Sequence, residues 1–300
     1  MKIQRVGVIG CGLMGSGIAQ VAAQAGLRTV VVEASAAALQ AGLQRVDKFL
    51  SGGVAKGKLT AEQKQATLSR LTGSAELEAI KDCDLVIEAV VEDLRLKLDL
   101  FARLDRLAPP TAIFASNTSS LSITELAAAT GRPARVLGLH FFNPVPLMRL
   151  VEVASTIQTS PDIEATVLEF ARTVGKTPIR TRDKTGFIVN RLLVPYILDA
   201  IRALEEGVGS IVDIDHGMTL GCGYPMGPFT LLDLVGIDTT YFIANIMFEE
   251  FRERRFAPPP LMKRMVLAGF HGRKTGKGFY DYGTEPPRPN DFLATAPADH

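Results

Sequence analysis

The sequence predicts an α/β domain built on a doubly wound, mainly parallel sheet, followed by an all-helical domain. Three observations carry this reading. Short β-branched runs alternate with amphipathic stretches through the first half, such runs stop after Thr181, and a cluster of glycines closes the first run. At 300 residues the chain exceeds what one core fills efficiently, so two domains are expected.

The first strand is expected at residues 6–9, apolar throughout, as a strand covered on both faces must be. Further strands are expected at residues 29–33, 85–88, 113–116, 136–140 and 150–153, on the same criterion of short β-branched or apolar runs bounded by turn residues. Apolar residues recur at helical spacing over residues 14–25, 36–50, 61–71, 94–107, 123–129 and 163–174. These units form a domain over residues 1–183. A helical domain for substrate and dimerisation follows over residues 184–284, opened by a stripe of Val189, Leu193, Tyr196, Ile197, Ala200 and Leu204. Pro195 predicts a kink in that helix. More helices are expected at residues 211–220, 229–234, 239–253 and 261–268, and residues 285–300, with four prolines, read as a frayed tail.

Composition excludes several classes. A formal net charge of +1 gives no reason to expect a nucleic acid or another polyanion. Cys11, Cys83 and Cys222 are scattered, without metal-ligand or disulfide spacing, which points to a reduced cytoplasmic setting and no metal. Lys2 and Arg5 precede an apolar stretch, but Gly7, Gly10, Gly12 and Gly15 break it as a leader peptide. The apolar segment over residues 187–204 carries Arg191 and Asp199, so no membrane span is expected.

The glycine cluster reads Gly10-Cys11-Gly12-Leu13-Met14-Gly15, between an expected strand and an expected helix. Gly10 permits the tight turn, Gly12 lets backbone approach a pyrophosphate, and Gly15 lets the helix pack on the strand. The helix N-terminus then faces the phosphates with open N–H groups. Glu33 closes the second strand, where an acid accepts from ribose hydroxyls and repels a 2′-phosphate, and this selects NAD.

Four further segments stand at element ends, where α/β sheets place ligands. They are Ser116-Asn117-Thr118-Ser119-Ser120, the run from His140 to Pro146, Glu152, and the run from Gly186 to Arg191. Singly, each has a plain structural alternative: a loop with an N-cap, a satisfied strand-end histidine, a solvated acid or amide. Together they fit alcohol oxidation. His140 takes the hydroxyl proton while hydride leaves carbon for nicotinamide. A chain reversal at Pro144 and Pro146 brings Glu152 to the far ring nitrogen, orienting the imidazole. Ser119 and Asn190 hydrogen-bond the substrate oxygen.

On SNTSSL at 116–121, HFFNPVPLMRLVEV at 140–153, DKTGFIVNR at 183–191, YPMGPF at 224–229 and KTGKGFYDY at 274–282, the chain resembles the L-3-hydroxyacyl-CoA dehydrogenase family, most closely its short bacterial members. The resemblance implies a Rossmann domain, NAD, an acyl-CoA substrate and a homodimer formed through the helical domain. It implies a His140–Glu152 catalytic pair, with Ser119, Asn143 and Asn190 at the substrate. It also places Glu92, Lys97 and Lys274 at or beside the nicotinamide half of NAD. Lys48, Lys56, Lys58 and Lys64 follow the second strand, and either meet coenzyme A phosphates or form a solvated surface; the resemblance favours binding, at Lys56. Tyr224 stands where many relatives carry histidine. Two rivals are a dehydrogenase of a free hydroxy or sugar acid, anchored by Arg149 or Arg191, and a non-catalytic NAD-binding protein.

Overall fold

The structure, a computed structural model, describes residues 2–290. It divides into two compact units, the first ending at Phe187 and the second beginning at Ile188.

The strands of the first unit are β1 (Arg5–Ile9), β2 (Arg28–Val32), β3 (Leu71–Ser74), β4 (Leu85–Glu88), β5 (Ile113–Ser116), β6 (Val136–Phe141), β7 (Leu150–Ser155) and β8 (Thr177–Arg182). They form one sheet in the order β3-β2-β1-β4-β5-β6-β7-β8. Neighbours are parallel except β6 and β7, so β7 and β8 run against the rest. The helices are α1 (Leu13–Gln24), α2 (Ala36–Ala55), α3 (Ala61–Leu68), α4 (Leu94–Leu107), α5 (Ile123–Ala128) and α6 (Pro161–Thr173).

Side-chain alternation along each strand feeds two cores, as a sheet covered on both faces requires. Leu85 and Ile87 of β4 join Ile18 of α1 and Val167 of α6 on one face. Val86 joins Phe101 and Leu104 of α4 and Leu126 of α5 on the other. Helix starts follow local chemistry: Ser35, Asp93 and Ser122 each accept from a first-turn N–H, and Thr60 with Gln63 completes a capping box.

Two strands of this sheet were not expected, and both lie at its edges. The helix expected to reach residue 71 ends at Leu68, and β3 begins three residues later. β3 reads LTGS and β8 reads TPIRTR. Edge strands are half solvated and tolerate polar residues and proline, so their pattern resembles loop.

The second unit comprises α7 (Val189–Glu205), α8 (Ile211–His216), which runs on as a π-helical turn over Gly217–Gly221, α9 (Pro228–Val235), α10 (Ile237–Phe251) and α11 (Pro260–Leu267). α7 continues through Pro195. Its buried face, Val194, Ile197, Leu198, Ile201 and Leu204, packs with Phe229, Met247, Met262 and Phe279. The tail expectation needs correction over its first six residues. A two-residue strand β9 (Tyr280–Asp281) pairs antiparallel with β10 (Arg288–Pro289), and Asn290 is buried with its amide donating to the Gly278 carbonyl at 3.0 Å. Prolines remove donors without preventing edge pairing, which is why composition misled. Residues 291–300 of the expected tail lie outside the described residues. Among the described residues no single helix is long and apolar enough to cross a membrane.

Candidate active site

His140 and Glu152 are direct cross-strand partners on the antiparallel β6–β7 pair. Such partners hold their Cβ atoms about 5 Å apart, and here His140 Nδ1 lies 2.7 Å from Glu152 Oε2. The carboxylate is fully buried and the imidazole is 9% exposed. A carboxylate only accepts, so Nδ1 carries the proton of this bond, and Nε2 is the ring nitrogen turned away from Glu152. The rings of Phe142 and Phe187 stand 4.5 and 5.7 Å from the imidazole centroid and exclude water from it. Phe187 takes a left-handed backbone conformation with φ 46° to do so, a strain that persists where packing over-determines it.

The loop after β5 carries Ser119, half-buried. Beneath it Lys97, 1% exposed, bridges two acids, at 2.9 Å from Glu88 and 2.8 Å from Glu92. Glu88 also accepts from Ser116 Oγ at 2.5 Å and from the Val90 N–H at 2.7 Å. Glu92 accepts from Thr118 Oγ1, from the Ser119 N–H at 3.3 Å and from Ser120 Oγ at 3.2 Å. Burial pushes the Glu92 carboxyl up, but the Lys97 ammonium and these hydrogen bonds more than reverse it and hold it below the usual range. Asn117 Oδ1 accepts from the Phe141 N–H at 2.9 Å and fastens the loop to β6 beside His140. Glu92 and Lys97 thus grip the loop that carries Ser119.

The glycine turn lies at the C-terminal end of β1. A Cβ on Gly10 (φ 96°) would meet the Ala89 carbonyl at 2.6 Å, and one on Gly15 would meet the Gly10 carbonyl at 1.9 Å. Around Gly12 nothing lies within 4 Å of such an atom. Gly12 caps α1 without any side-chain hydrogen bond, and Gly12 and Leu13 are exposed, so the first N–H groups of the helix have no side-chain acceptor. Glu33 Oε2 accepts from the Cys11 N–H at 3.0 Å, which leaves the carboxylate further lone pairs. The Cys11 side chain turns away beneath Gly42 of α2, where burial and then Glu33 push its thiol up to about 11. An uncapped helix end, an open glycine and an acid closing β2 fit a dinucleotide.

Of the other expected residues, some belong to the surface of the first unit and some to the second unit. Lys56 is the exposed C-cap of α2, as Lys48 and Lys58 are exposed, while Lys64 is committed to Asp47 at 2.8 Å. Asn143 is exposed in the β6–β7 connection. Asn190 sits in the first turn of α7, and Lys274, paired with Asp238 at 2.6 Å, belongs to the same second unit. Sequence reasoning missed Glu88 and Arg45, and singled out the segment of Asn117 without assigning that residue a role. An acid ending the otherwise apolar run of β4 was a usable signal for Glu88. Arg45 had none: it reaches from α2 to the Gly12 carbonyl at 3.2 Å and Ser16 Oγ at 3.2 Å, a contact only the packed helices create.

Compared with known families, residues 5–184 match the NAD binding domain of 3-hydroxyacyl-CoA dehydrogenase, and residues 186–282 match its C-terminal domain. The chain belongs to the 3-hydroxyacyl-CoA dehydrogenase family. It is 51% identical over 282 residues to a 3-hydroxybutyryl-CoA dehydrogenase of Mycobacterium tuberculosis, covering 93% of this chain and 99% of that protein. It is 48% identical over 288 residues to the mitochondrial hydroxyacyl-coenzyme A dehydrogenase of Sus scrofa, covering 93% and 91%. The crystal structure of (S)-3-hydroxybutyryl-CoA dehydrogenase from Ralstonia eutropha superposes with a TM-score of 0.91 at 44% identity, covering 94% of this chain and all of that one. The glycine turn, Glu33 and the His140–Glu152 pair all lie within the family's NAD binding domain.

Proposed function

We propose that this member of the family oxidises a short-chain (S)-3-hydroxyacyl-CoA, most simply 3-hydroxybutyryl-CoA, to the 3-oxoacyl-CoA, reversibly and with NAD. The observation that carries this reading is an imidazole held at 2.7 Å by a buried carboxylate, its second nitrogen turned away from that carboxylate. Bound NAD supplies the hydride acceptor at the substrate's C3. His140 Nε2 removes the hydroxyl proton, and Glu152 fixes the ring and balances the imidazolium that results. Ser119, on its braced loop, and Asn190 hydrogen-bond the reacting oxygen, so that proton and hydride leave in register. Gly10 to Gly15 hold the pyrophosphate, Glu33 the adenosine ribose, and Glu92, Lys97 and Lys274 support the nicotinamide half. Asn143 and Lys56 contact the acyl-CoA, with Lys56 at a nucleotide phosphate.

The same reading makes the chain a cytoplasmic homodimer serving fatty-acid metabolism. Two of its three cysteines, Cys11 and Cys83, are buried free thiols, in keeping with a reducing compartment. The test is NADH oxidation with acetoacetyl-CoA and with longer 3-oxoacyl-CoAs. His140→Gln is expected to keep the KM for NADH and to lose about two to four orders of magnitude in kcat. Equal turnover in both proteins would remove His140 from the role of base.

A further inference from the structure

The connection between β6 and β7 joins the two catalytic strands, and it is held by a lysine that the mechanism does not use. Lys176 lies between α6 and β8, and its side chain turns inward under that connection. It is 8% exposed. Its ammonium donates to the Val145 carbonyl and, at 2.9 Å, to the Met148 carbonyl. Both acceptors are neutral, so the charge is buried without an acid beside it, and burial pushes its pKa below the usual lysine value. A buried ammonium on carbonyl groups is a costly arrangement that simple hydrophobic packing would not select.

What it holds is mechanically central. Val145 is buried, and its Cβ would lie 2.8 Å from a Cβ built on Gly17 of α1, the helix that follows the glycine turn. The next residue along from Lys176, Thr177, donates its N–H to the Arg149 carbonyl at 2.7 Å, immediately before β7. Residues 145–149 are therefore fixed from below by Lys176 and seated against the cofactor-side helix by Val145. Val145 lies five positions after His140, and Arg149 lies three positions before Glu152.

We propose that Lys176 is a positioning residue for the reaction: by clamping the β6–β7 connection against α1, it sets the height of the His140–Glu152 pair relative to the cofactor turn. The inference rests on the dehydrogenase reading for its kinetic test and is independent of it for its spectroscopic one. Lys176→Met has similar volume and removes the donors; Lys176→Arg keeps a charge and donors. A displacement near 1 Å costs about 100-fold in turnover, so Lys176→Met is expected to lose about 10- to 100-fold in kcat, with the KM for NADH unchanged and Lys176→Arg recovering most of the loss. In the free protein, the low-field proton resonance of the Nδ1–H held by Glu152 is expected to broaden or vanish in Lys176→Met and to persist in Lys176→Arg.

Gly17→Ala, which forces Val145 away from the other side, gives a second route to the same displacement and is expected to lower kcat with the KM for NADH again unchanged. If Lys176→Met does not fold, this variant and Lys176→Arg decide. Wild-type kcat and an intact resonance in a folded Lys176→Met or Gly17→Ala protein would overturn the inference. So would a kcat loss that tracks loss of cooperative melting and is not recovered by arginine. Wild-type protein that is inactive on acetoacetyl-CoA would overturn the dehydrogenase reading alone, leaving the resonance to decide the clamp.

Discussion

At the scale of single residues, the proposed mechanism assigns His140 to act on the substrate and Glu152 to hold that imidazole in place. His140 is flanked by two aromatic rings and turns one nitrogen away from Glu152; Glu152 is enclosed and contacts the ring from behind. Glu152→Gln keeps the size and one acceptor but removes the charge that balances an imidazolium. It is expected to cost about 10²- to 10⁴-fold in kcat, as loss of an orienting acid does elsewhere, with the KM for NADH little changed. Steady-state kinetics with varied NADH reads both. These two residues were legible in the sequence because His140 closes the strand expected at residues 136–140 and Glu152 interrupts an apolar run, where an ionisable group needs a partner. Arg45 and Lys176 were not, because nothing in their local sequence distinguishes them from solvated helix and edge-strand residues.

At the scale of elements, the glycine turn makes predictions that differ from one position to the next. Gly12→Ala adds a methyl group to open space, so the melting temperature is expected to stay within a few degrees while NADH affinity falls at least about tenfold, through the methyl's intrusion on the phosphate position. Gly15→Ala puts a methyl into the Gly10 carbonyl at 1.9 Å, and is expected to lower stability and NADH binding together. Thermal melts beside NADH fluorescence titration separate the two outcomes; equal behaviour of the variants would contradict the assigned roles.

The loop after β5 adds a pH dependence. The folded Glu92 carboxyl is held below its unfolded value by Lys97 and its hydrogen bonds, against burial. Its stabilising contribution is therefore present above the unfolded glutamate pKa, about 4.3, and is lost as pH falls through the lower folded value. Glu92→Gln is expected to flatten the acid side of the stability profile below that point, read as melting temperature against pH. An unchanged acid limb would show that the Lys97 bridge contributes nothing to folding. The buried strands that carry these loops were readable from their apolar runs. β3 and β8 were not, since a polar edge strand is defined by its neighbour's unpaired backbone rather than by its own side chains.

At the scale of the whole molecule, the second unit exposes large apolar side chains, including Leu192, Leu220 and Leu267 at 69, 82 and 78%. The proposed homodimer is tested by sedimentation or light scattering, with an expected mass about twice the 32.3 kDa of one chain. A mass of one chain at micromolar concentration would refute it.

The places of the buried strands along the chain, the glycine turn and the candidate pair of histidine and acid were legible in the sequence itself. Each depends on local rules: apolar periodicity, the steric freedom of glycine, and the cost of placing an ionisable group within or at the end of an apolar run. Only the tertiary structure decided the edge strands, the Glu88–Lys97–Glu92 bridge and the pinning of Asn290. These are long-range choices. They depend on which backbone groups and charges are left unsatisfied once the core has formed, and no local stretch of sequence holds that information.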